Sequence, residues 1–185
     1  PALMASSGYA GLHDINKILK TKDSEGYVFE DELKKIGWQG KEKVGSQKMY
    51  CYFELHIEQG PILENENVDI GVVTHGQGLK WLEVKLIGIE QHTGTTPMHV
   101  RKDAGLAMSK IIQEVNNIAL KNLPDVVGSV GHIEVFPNSR NVIPGKSIFT
   151  VDFRSHKNEK LEKMENELNI ILNKICKKLN IDYSI

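Results

Sequence analysis

Three short stretches hold the residues best suited to chemistry. The first is ELHIEQGP, residues 54–61, which sets His56, Glu58 and Gln59 where a hydrophobic run meets Gly60 and Pro61. An imidazole can serve as a neutral metal ligand or a general base, and polar groups at strand ends commonly line sites. A single His at such an end is more often simply hydrogen-bonded. The second is HTGTTP, residues 92–97. The small residues after His92 let backbone N–H groups and the imidazole approach a ligand closely, although they also suit a plain turn ahead of a proline-started helix. The third is SIFTVDFR, residues 147–154, where Phe149, Val151 and Phe153 alternate with Thr150, Asp152 and Arg154. An Arg on a rigid strand suits a bidentate grip on a carboxylate; Asp152 and Arg154 on one face suit a structural ion pair equally well.

These stretches need elements to carry them. MYCYFELHIE, residues 49–58, is rich in aromatic and branched residues and predicts a buried strand ending at the His56 to Gln59 group. Ahead of it, residues 8–20 and FEDELKKIGW, residues 29–38, read as short helices. Residues 82–86 alternate as a half-buried strand, and apolar positions from Ala104 to Ala119 predict a long amphipathic helix. Residues 126–136 form a second strand with glycine-permitted irregularity, and residues 147–154 a third. A second long helix runs through Leu161, Met164, Leu168, Leu172 and Leu179 with Ser155 or Asn158 as N-cap, and residues 181–185 begin a fourth strand. Strand, helix, strand, strand, helix, strand is the split βαβ, ferredoxin-like order of an α+β domain. It puts two helices on one face of an antiparallel sheet and leaves the other face open for pairing.

Composition limits the remaining choices. The 185 residues are 40% hydrophobic and 25% charged, with 23 Lys and Arg against 24 Asp and Glu. That is one soluble domain, or one domain plus part of another, with neither a membrane span nor a nucleic-acid footprint. KICKK, residues 174–178, is a basic spot typical of a helix end. Cys51 and Cys176 are too few for a disulfide scaffold and read as reduced and buried in a cytoplasmic protein. The remaining histidines (His13, His75, His99, His132 and His156) show no partner spacing and read as surface residues. The acidic runs FEDEL and NENE read as solvated faces, and Gly76 with Gly78 is too short for a nucleotide fingerprint. Starting at Pro1 and stopping in a strand-like IDYSI, the chain reads as a piece of a longer protein.

Taken together and in order, ELHIEQGPILE, GVVTHGQG, HTGTTPMHVRKDA and PNSRNVIPGKSIFTVDFR resemble the N-carbamoyl-L-amino-acid hydrolases and their relatives, the allantoate amidohydrolases and β-ureidopropionases, of the zinc exopeptidase superfamily. The resemblance covers nearly the whole chain. It implies a partial α/β catalytic domain over residues 1–75 and an inserted ferredoxin-like lid and dimerisation domain over 76–185. It also implies a homodimer acting on a carbamoyl amino acid or allantoate, with two divalent metal ions (zinc, manganese, cobalt or nickel) in the complete enzyme. By the same resemblance His56 is a metal ligand and Gln59 a substrate contact. His92 is the lid histidine that stabilises the oxyanion, often in the partner subunit's site, while Asn141 and Arg154 hold the substrate carbonyl and carboxylate. A metal-bound water would attack the ureido carbonyl.

The chain departs from that pattern in having no His-x-Asp, no adjacent Glu-Glu and no late histidine. These 185 residues are therefore expected to be inactive alone. His75 stands where the family commonly has a small residue. Alternative readings are a non-catalytic dimerisation module or a dipeptidase or aminoacylase of the same superfamily.

Overall fold

A computed structural model describes residues 3–185, and its contacts divide the chain into two compact units, Pro1–Asp69 and Ile70–Ile185.

The first unit contains short helices. α1 (Met4–Tyr9), α2 (Ile15–Leu19) and α3 (Phe29–Lys35) pack in sequence around buried Ile18, and α4 (Ile62–Glu66) follows later. The single helix expected over residues 8–20 is thus two helices, broken where Gly11 takes φ 71°; such a φ costs glycine little and ends helices readily. Asp14 caps α2 by accepting from the Asn16 N–H at 2.9 Å. A larger correction concerns residues 49–58, expected as a buried strand. They form no strand, and Tyr50, Phe53 and Leu55 are almost fully exposed. A strand must pair its N–H and C=O groups, and among the described residues this segment has no partner strand. Cys51, expected to be buried, is exposed with it.

The second unit is built on a four-stranded sheet in the order β3-β5-β1-β6. The strands are β1 (Gly78–Ile87), β3 (Val126–Phe136), β5 (Lys146–Ser155) and β6 (Asp182–Ser184), with every neighbouring pair antiparallel. Two long helices, α5 (Ala104–Lys121) and α6 (Asn158–Leu179), cover one face. The period-2 pattern of β5 explains this: Ser147, Phe149, Val151, Phe153 and Ser155 are buried, while Thr150 and Asp152 are half-buried and Arg154 is exposed. The buried set meets Val84 and Leu86 of β1, Ile111, Val115 and Ile118 of α5, and Met164, Leu168, Leu172 and Cys176 of α6. The unit is therefore the expected α+β arrangement of an antiparallel sheet with helices on one face. Burying an aromatic or aliphatic side chain of this size stabilises the fold by roughly 1.5–3 kcal/mol.

Helix ends follow the sequence with one shift. Asp103 caps α5 through the Leu106 N–H at 2.9 Å. The cap position of α6 is Lys157 rather than Ser155 or Asn158, although the Ser155 hydroxyl accepts the Lys157 N–H at 3.1 Å and donates to the Asp125 carbonyl at 2.8 Å. The glycine-permitted irregularity in β3 is a bulge between Val130 and Ile133.

A two-stranded ribbon of β2 (Gln91–His92) and β4 (Val142–Ile143) extends the unit beyond the sheet, followed by a 3-10 turn at Met98–Val100. Its base is tight: Gly88 N–H donates to the Gly145 carbonyl at 2.7 Å and Ile89 N–H to the Lys102 carbonyl at 2.9 Å. A Cβ on Gly88 would fall on the Lys102 carbonyl oxygen, and one on Gly145 would fall on Glu90. Only glycine lets these strands approach so closely.

Candidate functional site

The ribbon gathers two of the expected site residues. His92 pairs across the ladder with Val142, and the next N–H, that of Thr93, donates to the Asn141 carbonyl at 2.9 Å. His92 and Asn141, 49 positions apart in sequence, are thus held by adjoining backbone.

The polar ends of both side chains are oriented. Gly94 N–H donates to His92 Nδ1 at 3.1 Å. A nitrogen that accepts carries no proton, so neutral His92 has its hydrogen on Nε2. Asn141 Oδ1 accepts from the Ser139 hydroxyl at 3.1 Å, which leaves its Nδ2 as the donor end. Two N–H donors of this kind suit a carbonyl oxygen that gains negative charge during attack. The loop after His92 is closed by Thr96 N–H on the His92 carbonyl at 3.2 Å. Arg101 reaches back to the same loop, donating from Nε to Thr96 O at 3.1 Å and from Nη2 to Thr93 O at 2.7 Å and Thr96 O at 2.9 Å.

Arg154 lies elsewhere. It stands opposite Leu79 near one end of β5, whereas the ribbon leaves the sheet where Ile87 faces Lys146 at the other end. Eight residue steps along the strand separate Lys146 from Arg154, roughly 25 Å. Arg154 and the base of the ribbon that carries His92 and Asn141 thus stand at opposite ends of β5. Arg154 forms the ion pair that its spacing from Asp152 allowed: Nε donates to Oδ1 and Oδ2 at 3.2 and 3.0 Å, and Nη2 to Oδ2 at 2.8 Å. Hydrogen bonding to Arg154 holds the Asp152 carboxyl below its ordinary value, with a smaller contribution from Trp81 and against the effect of burial. The pair sits on the open sheet face, beside a shallow depression lined by Trp81, Glu83, Ser129, Gly131 and Thr150.

His56, Glu58 and Gln59 belong to the first unit. The Ile57 carbonyl lies 2.7 Å from His56 Nδ1 and can only accept, so the proton sits on Nδ1 and Nε2 offers its lone pair. That is the state of a metal-binding imidazole. Glu58 is committed to structure: its two oxygens accept the Ile62 and Leu63 N–H groups at 3.1 and 3.0 Å, holding the start of α4. Gln59 takes φ 56°, an uncommon left-handed backbone for a side chain of its kind. Among the described residues no three His, Cys, Asp or Glu side chains come together as a metal site.

Several participants were not singled out in the sequence. Ser139 and Gly94 orient Asn141 and His92 from two residues away. Arg101 lies inside HTGTTPMHVRKDA, but nothing in its spacing shows a guanidinium folding back on carbonyls. The supposedly solitary histidines also find partners: His132 Nε2 lies 2.7 Å from Glu134 Oε1, and the rings of His75 and His156 pack with centroids 4.6 Å apart.

Comparison with known proteins supplies the wider frame. Residues 74–180 match the family described as the Peptidase dimerisation domain. An N-carbamoyl-L-amino-acid amidohydrolase of Rhizobium meliloti is 54% identical over 185 residues, covering 100% of this chain and 44% of that protein. The allantoate amidohydrolase of Escherichia coli K12 is 32% identical, covering 97% and 44%. Among solved structures, an amidase of the hydantoinase/carbamoylase family from Burkholderia multivorans superposes with a TM-score of 0.86 at 42% identity, covering 100% of this chain and 45% of that one. The chain thus spans less than half the length of these relatives.

Proposed function

Because the chain belongs to the Peptidase dimerisation domain family, we propose that it is part of an amidohydrolase cleaving the linear carbamoyl C–N bond of an N-carbamoyl-L-amino acid, with allantoate as the alternative substrate. The relatives named for those two reactions support the choice. Residues 76–185 act as lid and dimerisation domain, and residues 1–75 belong to the catalytic domain.

The observation that carries the mechanism is the separation along β5. Arg154 holds the α-carboxylate from one subunit, exchanging its bidentate bond to Asp152 for one to the substrate. The ribbon of the second subunit brings His92 Nε2–H and Asn141 Nδ2–H onto the ureido carbonyl oxygen, where both bonds strengthen as charge develops. Gln59 adds a polar contact to the substrate. His56, with its Nε2 lone pair free, is one ligand of the divalent metal centre that the resemblance implies. Its fellow ligands are not among the described residues, and ammonia release by the 185-residue chain alone is expected to be absent.

Subunit mixing in the full-length protein tests this reading. His92→Ala and Arg154→Ala should each be nearly inactive. Mixed dimers restore one intact site in two, so an equal mixture should recover about one quarter of wild-type activity. Mixtures no more active than the separate variants would place both residues in one subunit's site and overturn the composite arrangement.

A further inference from the structure

The bonds that Arg101 makes inside the histidine loop are of an unusual kind. Three of its five N–H donors are spent on two backbone carbonyls, those of Thr93 and Thr96, at 2.7–3.1 Å, and its side chain is partly buried there. The Thr93 carbonyl belongs to the same peptide unit as the Gly94 N–H, the group that meets His92 Nδ1 at 3.1 Å, and the Thr96 carbonyl closes the far end of the loop. Turning the Thr93 carbonyl away would rotate the peptide plane it shares with the Gly94 N–H and move that N–H off the imidazole. The 3-10 turn at Met98–Val100 is what brings Arg101 back over the loop. On its far side, the Thr93 N–H on the Asn141 carbonyl joins the same loop to the second donor.

We infer that Arg101 is a positioning residue that sets the tautomer and direction of His92 through the loop carbonyls. A guanidinium fits because its rigid fork presents parallel donors to two carbonyls at once; an ammonium donates from a single point. The alternative, that Arg101 grips a substrate carboxylate directly, would take from the loop the three bonds that hold the Thr93 and Thr96 carbonyls. The inference rests on the proposed role of His92 for its effect on turnover, but its effect on the imidazole is measurable without any substrate.

The first measurement is a long-range ¹H–¹⁵N spectrum of the imidazoles in the 185-residue chain, with His92 assigned by His92→Gln. Wild type should show His92 protonated on Nε2 alone. Arg101→Ala should show averaging between the two tautomers, and Arg101→Lys an intermediate state. An unchanged His92 signal in Arg101→Ala, with the thermal midpoint preserved, overturns the inference. In the full-length protein Arg101→Ala should lower kcat about 10- to 100-fold with little change in KM, the usual scale for a residue acting through another. Added guanidinium at millimolar concentration should restore part of that loss. A full kcat in Arg101→Ala, alongside a large loss in His92→Ala, also overturns it. Full activity in His92→Ala would instead overturn the role given to His92, leaving the tautomer measurement to decide Arg101.

Discussion

Two cysteines separate sharply in their surroundings. Cys176 is buried in α6 against the sheet, and burial pushes its thiol up to about 11. Cys51 lies exposed in the irregular segment before α4. In the native chain a thiol reagent at neutral pH should modify Cys51 at once and Cys176 only on unfolding, which mass spectrometry of the peptides will show. Since the folded thiol keeps its proton above the pH at which the unfolded one loses it, stability should hold to about pH 9. It should then decline toward pH 11, by an amount on the order of 2–3 kcal/mol. An alkaline melting series with Cys176→Ala, which lacks that decline, checks the assignment. Asp152 works at the other end of the scale. Its carboxyl is lowered in the fold by Arg154, so its contribution is present above the ordinary carboxylate range and is lost as pH falls through the depressed value. Asp152→Asn should therefore cost little at pH 7, at most about 1 kcal/mol for a partly exposed pair. Its melting temperature should converge with wild type in acid; a constant offset across the whole range would mean the pair contributes by packing rather than charge.

At the scale of elements, the ribbon that holds His92 depends on glycine where the sheet depends on pattern. A methyl group on Gly88 has no space against the Lys102 backbone, while one on Gly131 would meet Thr150 Oγ1 at 3.6 Å, an ordinary contact. Gly88→Ala should thus destabilise by at least about 2 kcal/mol and disturb the His92 arm, with Gly131→Ala staying within about 0.5 kcal/mol; similar denaturation midpoints would refute the tight approach. The two long helices and β5 were readable because each repeats one period over ten residues or more. The ribbon was not: two-residue strands are too short to carry a period, and their partners lie about fifty residues apart. Residues 49–58 failed for the opposite reason. Their composition suits a strand, but a strand is completed by its neighbour, and apolar side chains cannot say whether that neighbour is present. The ion pair of Asp152 and Arg154 was legible as one of two alternatives, since side chains two apart on a strand share a face. Arg101 was not, because a bond to carbonyls leaves no mark on residue types.

For the whole molecule, the sequence motifs named residues without saying which could meet. The sheet answers that by length: β5 runs the full height of the unit, with its arginine near one end and the ribbon at the other. On the composite reading, a lone subunit is a half-reagent. Specific activity then ceases to be a constant of the preparation. Diluted below the dissociation constant of the pair, the rate should rise with the square of protein concentration and return to simple proportionality above it. A cell making twice as much of such a protein at low abundance would gain close to four times the flux, so expression level itself would act as a switch with a threshold.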